Sequence, residues 1–549
     1  MTSPHAILLP FAQGGVEIEE RTGEDCVASN GFCPDWIVEN ILDYLPPFLE
    51  HIYLTVVSVG IGFALAFGLA LLAHRKGWTF GPISGFTQVL YTIPSIAAFF
   101  LLQPITDRGN LTAIIALVAY TLFILFSNIM TGLGNVPDEV KDSARGMGLT
   151  DRQLLWRVEL PLAVPEILAG LRIATTTTIG LATLAFLAGG GGLGVELASG
   201  ADRVFKSNVA IVGVLATLLA AAFDLLILAV QKLATPWQRP EAKRRGGMVR
   251  ALASLLGTAL RPLAAVLGSR IFGRGLLVLV VVAFVVLLVV LIGPLTEAAA
   301  GFVAAAGDAI NFVLYPRESV SEGVMVGGTA EMIDLTLAHL LVSAVAVVAA
   351  VALFVPLGLY LGHKGRGEFL AISASNIGRA VPSLALMAFF IAYLGIGFAN
   401  VATVLFLLAI PPILTNTYVG VRQVEREAVD AARGMGMTDT QIVTRVELPL
   451  ALPTIFAGIR LSAVAVLATA IIAPLANWPT LGTPITEGQT YGPAGQLGAA
   501  IVVALVTLAG DGLLRLLQRA VTPGGLKAAR TGSRRQVSIP TPTRREQTA

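Results

Sequence analysis

The chain has 549 residues, of which 55% are hydrophobic and only 13% are charged, and its mean hydropathy is +0.78. Soluble globular proteins have about 25% charged residues, so this composition excludes that class and predicts an all-α protein that crosses a membrane several times. The net charge of +2 gives no sign of a nucleic-acid partner.

The first segment, residues 1–50, is polar and contains the only two cysteines, Cys26 and Cys33. A disulfide between them, which requires that this segment face an oxidising exterior, and two idle thiols are equal alternatives. No histidine lies near them, so no metal site is predicted. The early apolar run Ala6–Ala12 is short and contains Pro10, which does not fit a secretory signal.

Apolar runs long enough to cross about 30 Å of hydrocarbon predict about eleven transmembrane helices. They lie near residues 52–73, 83–103, 111–133, 164–188, 207–231, 275–297, 337–361, 371–395, 400–421, 452–475 and 496–518. With the N-terminus outside and the C-terminus in the cytoplasm, the basic residues fall mainly inside, as the positive-inside rule requires. The exceptions among the 37 lysines and arginines are Arg21, Arg108, Arg203, Lys206 and Arg317.

The stretch RVELPL occurs twice, and a shift of 288 residues superimposes its two copies. The same shift matches His51 with His339, and 22 of 34 positions are identical between Glu139–Arg172 and Glu427–Arg460. The sequence therefore predicts one five-helix unit present twice.

The two predicted units comprise residues 51–232 and 335–520. A unit of five helices that enters from outside ends inside, so a lone span is needed to return the chain. The segment 275–334 supplies that connecting helix and an exterior stretch, and the two units then run parallel.

Two basic segments outside the two units are predicted to lie on the cytoplasmic side. The linker 233–274 has apolar residues at helical spacing and is predicted to lie on the inner membrane surface, with a solvated linker as the alternative. The basic tail 521–549 is predicted to be a disordered, positively charged segment, with contact to anionic lipid as the alternative.

Each unit carries a matched loop that the pattern predicts to be a helix, a turn and a second helix. Gly148 and Gly436 suit a left-handed helix C-cap. The T-x-x-Q pattern that follows each glycine predicts a capping box, and Pro161 and Pro449 suit the first turn of the returning helix. Two matched loops favour two similar docking sites on a partner; clipping neighbouring helices together is the alternative.

At these residues the chain resembles the ABC-importer permeases. The segment Asp430–Pro449 resembles the EAA loop of that family. It fits the pattern of Asp-Ala-Ala, three residues, Gly, nine residues and then Val-x-Leu-Pro. In the first copy Ser143 replaces the middle residue. The resemblance implies that each loop is a coupling helix seated in an ATPase subunit. The implied coupling residues are Asp142, Ser143, Ala144, Gly148, Val158, Leu160, Pro161, Asp430, Ala431, Ala432, Gly436, Val446, Leu448 and Pro449.

A narrower resemblance comes from NTYVGVRQVE, RGMGMTDTQ and RVELPLALPTIFAGIR, which are similar to permeases for glycine betaine, carnitine and choline. It covers both units and implies a type I ABC-importer permease with two units fused in one chain. The connecting helix and the basic tail lie outside the family pattern. The resemblance further implies two partner ATPase subunits that bind ATP and magnesium, and an external solute-binding protein.

The motifs that are missing support a transport subunit that is not itself an enzyme. No GxxxxGK[ST] phosphate loop occurs, and the histidines have no metal-ligand spacing. We therefore predict no cofactor in this chain. The tetraglycine 189–192 is predicted to be an exterior turn or a flexible lip over the translocation path.

Polar and helix-breaking residues in the spans predict where a solute passes. The candidates are Pro94, Ser95, Asn128, Thr175, Thr178, Asp224, Pro382, Ser383 and Asn416. Helix–helix hydrogen bonding is the alternative for each. Asp224 has only Lys232 within sequence reach, Asp511 is expected to pair with Arg515, and Arg172 and Arg460 are expected to extend to the inner interface.

The predicted function is a plasma-membrane permease subunit of a binding-protein-dependent ABC importer for compatible solutes such as glycine betaine, choline or carnitine. One alternative is an ABC permease for amino acids or another small solute. The other is an ion-coupled secondary transporter, for which Asp224 is the candidate acid.

Overall fold

The computed structural model describes residues 33–203, 205–235, 237, 295–321, 323–365 and 382–522, which are almost entirely helical. The first half comprises α1 (Pro34–Asn40), α2 (Leu45–Arg75), α3 (Phe80–Thr92), α4 (Ser95–Thr106), α5 (Asn110–Gly134), α6 (Asp138–Gly146), α7 (Asp151–Leu154), α8 (Leu160–Ala182), α9 (Leu193–Asp202) and α10 (Lys206–Ala234). Three 3₁₀ turns (Ile41–Tyr44, Gly77–Thr79 and Ala185–Ala188) and a π-helical turn (Leu155–Glu159) connect them.

The described part of the second half repeats this order after an additional helix and a hairpin. It comprises α11 (Leu295–Leu314), β1 (Pro316–Glu318), β2 (Met325–Gly327), α12 (Gly328–Lys364), α13 (Ser383–Leu394), α14 (Phe398–Arg422), α15 (Arg426–Gly434), α16 (Asp439–Ile442), α17 (Leu448–Thr469), α18 (Thr483–Thr486) and α19 (Gly488–Val521). A second π-helical turn (Val443–Glu447) and a 3₁₀ turn (Ala470–Ala476) complete it.

Seven of the described helices are long and apolar enough to cross a membrane, and a bent pair gives an eighth if it is one span. Eleven spans were predicted. The run 275–297 lies almost wholly outside the described residues, and 371–395 is described only from Pro382. The predicted span 164–188 exists as α8, in which Glu166, Arg172 and four threonines lower the hydropathy.

The predicted span 83–103 is a bent pair of helices. Gly77–Thr92 and Ser95–Thr106 meet at 100°, because Pro94 has an extended backbone (φ −55°, ψ 136°) and no N–H to continue the helix. Tyr120 donates a hydrogen bond of 3.0 Å to the carbonyl of Ile93 beside this break. The sequence predicted the interruption, and the structure adds the sharp change of direction.

Small residues bring the central helices of each half into close contact. In the first half Gly132 of α5 faces Ala163 of α8, and at the matched place Gly420 of α14 faces Ala451 of α17; an added Cβ would approach these alanines at 3.1 Å and 3.3 Å. Helices within membranes associate through such small residues, which allow close backbone approach.

The two halves share one apolar core. Phe99 of α4, Val212 of α10, Met387 of α13 and Val503 of α19 are all buried in it. The helix α4 packs on α19 of the other half, and α13 packs on α10. The two units are therefore packed against each other as well as joined in sequence.

The segment ahead of the second unit contains a helix and a hairpin that the sequence analysis did not predict. Phe312 of α11 is buried, its ring contacts Tyr491 at 6.1 Å between centroids, and the Arg317 guanidinium lies 5.0 Å from its centroid. The strands β1 and β2 pair antiparallel, with Pro316 opposite Gly327. This structure covers the start of α19, which explains why the segment between the spans is so long.

Some predicted features fall on residues that the structure does not describe. Cys33 is disulfide-bonded, but Cys26 lies outside the described residues, so their pairing stays a prediction. Most of the linker 233–274 and the tail from 523 to 549 also lie outside them.

Candidate functional site

The end of the molecule that carries residues 138–161 and 426–449, which we name the repeated loops, has the same backbone design in both halves. After α6 the N–H of Gly148 bonds to Arg145 O at 2.9 Å and that of Leu149 to Ala144 O at 3.2 Å. These two bonds define a Schellman C-cap. Gly148 has φ +82° and Gly436 has φ +78°, so the predicted left-handed glycines are confirmed.

The second helix of each repeated loop begins with the predicted capping box. The N–H of Thr150 bonds to Gln153 Oε1 at 2.9 Å, and the N–H of Gln153 bonds back to Thr150 Oγ1 at 3.4 Å. Thr438 and Gln441 repeat both bonds. Each loop is thus two short helices held at a fixed turn by local bonds.

Only one member of each pair of small residues lies on the surface of the repeated loops. Ala144 and Ala432 are buried, whereas their neighbours Ser143 and Ala431 are exposed. Among the large apolar side chains of the repeated loops, the most exposed are Met147, 75% exposed, and Met435, 71% exposed. The outward face is therefore built around a methionine at each turn.

The predicted coupling residues divide by exposure. Asp142, Gly148, Asp430 and Gly436 are exposed with Ser143 and Ala431; Val158, Pro161, Val446, Leu448 and Pro449 are partly buried; Leu160 is buried with Ala144 and Ala432. The first group forms the outward surface, and the other residues attach it to the membrane helices.

The repeated RVELPL stretch is explained by a contact that the sequence did not predict. Its glutamate ends the π-helical turn and is buried, and it meets a histidine from the first span of the same half. His74 Nε2 lies 2.9 Å from Glu159 Oε2, and His363 Nδ1 lies 2.9 Å from Glu447 Oε2. The proline that follows occupies the first turn of α8 or α17, as predicted.

Two further polar ties join the fourth and fifth spans of each half. Arg172 binds Asp224 through two hydrogen bonds of 2.8 Å and 2.7 Å. The side-chain amide of Gln231 donates to Pro165 O at 3.0 Å, and that of Gln518 donates to Pro453 O at 2.9 Å. The expectations that Arg172 extends to the interface and that Asp224 has only Lys232 in reach were wrong, because the partner is 52 residues away in sequence.

In the second half the corresponding acid has two cationic partners. Asp511 is buried and lies 3.2 Å from Arg460 Nε. Arg515 Nη2 also contacts it, as the spacing of four residues predicted. Arg460 therefore pairs within the bundle and does not extend away from it.

Two of the predicted path residues lie where helices cross. Asn128 packs against Gly170, where an added Cβ would come within 2.5 Å of the asparagine Cβ, and Asn416 packs against Gly458 in the same way at 2.6 Å. Each asparagine amide donates to its own helix, to Ile124 O at 2.7 Å and to Pro412 O at 2.8 Å. This geometry agrees with the helix-packing alternative.

The other predicted path residues are mostly buried. Thr175 and Thr178 are 3% and 1% exposed, and their hydroxyls bond to carbonyls of α8. Pro94, Ser95 and Pro382 are buried and Ser383 is partly buried at the helix breaks. Their role in a solute path stays a prediction.

At the end opposite the repeated loops, the tetraglycine is held by side chains. Glu50 accepts the N–H of Gly192 at 3.0 Å, and Asn110 Oδ1 accepts that of Gly191 at 3.0 Å. Asn110 Nδ2 in turn donates to Glu50 Oε1 at 2.9 Å. The predicted turn is thus present, and this network fixes it in place.

Comparison with known proteins agrees with this duplicated architecture. A family model described as the binding-protein-dependent transport system inner membrane component matches residues 58–240 and again residues 354–523. The carnitine transport permease protein OpuCB of Listeria monocytogenes is 39% identical over 195 residues, which are 35% of this chain and 89% of that protein.

Two other relatives show the same coverage. The choline transport system permease protein OpuBB of Bacillus subtilis is 37% identical over 198 residues, 36% of this chain and 91% of that protein. The osmoprotectant import permease protein OsmW of Salmonella typhimurium is 33% identical over 192 residues, 34% of this chain and 89% of that protein. Each relative thus matches about one unit. The chain belongs to the family of binding-protein-dependent transport system inner membrane components, and it is a multi-pass membrane protein with two permease units in one polypeptide.

Proposed function

We propose that this chain is the membrane-spanning permease subunit of an ATP-driven, binding-protein-dependent importer for small compatible solutes such as glycine betaine, choline or carnitine. The observation that carries the proposal is the pair of repeated loops, which share backbone bonds, a buried glutamate and an outward methionine. Two matched surfaces at one end of the molecule suit two similar ATPase subunits. An external solute-binding protein would deliver the solute at the other end.

The orientation that we propose places the repeated loops in the cytoplasm, where ATP is present. The basic residues in the last turns of α2 and α12 lie at the same end as these loops, in agreement with the positive-inside rule. The tetraglycine and the hairpin β1–β2 would then face the exterior. The N-terminus would lie outside and the basic tail inside.

The proposed solute class rests on the relatives, whose names specify carnitine, choline and osmoprotectants. An amino acid or another small solute remains the alternative within the same mechanism. Ion-coupled secondary transport is less well supported, because its candidate acid Asp224 has an arginine partner that the second half repeats at Asp511.

The test is uptake of radiolabelled glycine betaine by an uptake-deficient host that expresses this chain with its ATPase and binding protein. We expect uptake that unlabelled choline and carnitine inhibit, and that disappears with a hydrolysis-dead ATPase or in the Gly148→Asp/Gly436→Asp double variant. Uptake that survives a dead ATPase would contradict the ATP-driven mechanism. ATP-dependent uptake inhibited only by amino acids would contradict the proposed solute alone.

A further inference from the structure

Near its end, each repeated loop contains a buried glutamate that contacts the first span of the same unit. Glu159 is 5% exposed and Glu447 is 4% exposed. A buried carboxylate needs a hydrogen-bonded or cationic partner to be tolerated. In each half that partner is a histidine in the last turn of the first span, α2 or α12.

The π-helical turn accounts for the direction of these glutamates. A π turn holds one residue more than an α-helical turn, so the side chains after it are rotated by about 100° relative to an unbroken α-helix. The proline two residues later lacks an N–H and disfavours regular α-helical bonding at this place. Sequence and backbone together direct Glu159 and Glu447 toward the first span.

The remaining polar contacts of the repeated loops are mainly local. The Schellman bonds and the capping box join residues of the loop to each other, and the chain itself joins the loop to the third and fourth spans. The histidine–glutamate pairs connect the loop to the first span of the unit, more than 80 residues earlier in the sequence.

We propose that the pairs His74–Glu159 and His363–Glu447 are positioning contacts that transmit movement of the repeated loops to the first span of each unit. This inference rests on the proposed function, in which partner ATPases move those loops. When a loop shifts, a buried hydrogen-bonded pair carries the first span with it. Without the pair, the loop moves while the first span lags behind.

The second half has an additional contact at the same place. Lys364 Nζ lies 2.9 Å from Asp439 Oδ2, and His363 Nε2 lies 3.5 Å from Asp439 Oδ1. Asp151 stands at the matched position of the first half, and no ion pair joins it to another residue in the described part of the chain. The loop of the second half is therefore tied more firmly to its first span.

The two histidines use different ring nitrogens, which provides a matched experiment. The amide of glutamine reaches about where Nε2 of histidine lies, and the shorter asparagine amide lies near Nδ1. His74 contacts its glutamate through Nε2 and His363 through Nδ1. His74→Gln and His363→Asn should keep the contact, whereas His74→Asn and His363→Gln should lose it.

The full chain, assembled with its ATPase and binding protein, would be reconstituted in liposomes. Glycine betaine uptake and phosphate release would be measured together, so that their ratio reports coupling. We expect ratios within twofold of wild type for His74→Gln and His363→Asn. For His74→Asn and His363→Gln we expect at least a fivefold lower ratio, with phosphate release retained and assembly with the ATPase unchanged.

Equal ratios for the two amides at both positions would overturn the proposal. So would a parallel loss of uptake and phosphate release in the contact-breaking variants, because that result indicates a merely structural role. Failure of the proposed function is distinguishable, since the wild-type chain itself would then show no ATP-dependent glycine betaine uptake.

Discussion

Asp224 and Asp511 show how a charge is accommodated within an apolar helix bundle. Each joins the last span of its half to an arginine in the preceding span. Removing one partner leaves the other charge partly buried without compensation. Such losses cost about 3–5 kcal/mol when burial is complete, and less where water reaches the pair, as it does for Arg172 and Asp224.

We expect Asp224→Asn to lower the free energy of unfolding by about 1–3 kcal/mol. The exchanged pair Arg172→Asp/Asp224→Arg should recover part of this loss, because opposite charges again face each other. Thermal unfolding of the purified chain in detergent measures both. Asp511→Asn serves as the matched comparison and should cost more, since it leaves two arginines without their acid. An Asp224→Asn variant as stable as wild type would show that the pair contributes nothing.

Gly194 and Gly482 occupy matched places where helices leave no room for a side chain. An added Cβ would overlap the carbonyl oxygen of Thr183 in the first half and that of Ile471 in the second. Backbone atoms cannot move aside as a flexible side chain can. We expect Gly482→Ala to reduce the amount of folded chain in the membrane severalfold.

Gly60 supplies the control for that substitution. It lies in α2, and no atom of the residues that the structure describes comes within 4 Å of an added Cβ. Alanine favours a helix over glycine by about 1 kcal/mol. Gly60→Ala should therefore accumulate at least as well as wild type, as judged by fluorescence-detected size exclusion. A normal monodisperse peak for Gly482→Ala would contradict the predicted overlap.

At the scale of elements, the turn of each repeated loop depends on backbone conformation more than on space. Gly436 has φ +78°, and within the described part of the chain nothing lies within 4 Å of an added Cβ. Asparagine tolerates the left-handed region, whereas β-branched residues are strongly disfavoured there. We expect Gly436→Asn to retain at least half of the ATP-dependent uptake and Gly436→Val to lose most of it. Equal uptake in the two variants would mean that the left-handed turn is dispensable.

The elements that the sequence predicted are those defined by local chemistry. Gly148 and Thr150 act on backbone groups within a few residues, so their C-cap and capping box could be predicted. The 288-residue repeat likewise predicted the second copy of each element. Comparison with the relatives then confirmed the all-α permease fold with two units.

The contacts that the sequence missed are long-range. Arg172 and Asp224 are 52 residues apart, and His74 and Glu159 are 85 apart, so neither pairing has a local signature. One signal was present in the sequence. The counterparts of His74 and Asp224 in the second half, His363 and Asp511, each lie one residue away from the position that the 288-residue shift predicts. The helix α11 and its hairpin were missed because the first unit contains no described counterpart to compare.

At the scale of the whole molecule, the units are held together by apolar packing that does not depend on the linker. Val212 and Met387 come from different units and share one core. At the same interface an added Cβ on Gly213 would lie 3.4 Å from Ala385. Relatives that match one unit are separate proteins of about that length, which indicates that a covalent link is not required for each unit to exist as a chain.

We therefore expect a chain divided at 245/246, within the basic linker, to assemble from two coexpressed pieces. Burying apolar surface contributes about 25 cal/mol per Å², so the shared core should hold the pieces together without the peptide bond. An affinity tag on the first piece should recover the second in equal amount, and ATP-dependent uptake should persist. Met387→Asp in the second piece places an unpaired charge in that core and should abolish its recovery with the first piece. The undivided wild-type chain is the control and should remain intact. If the divided wild-type pieces accumulate but do not copurify, the linker rather than the core holds the two units together.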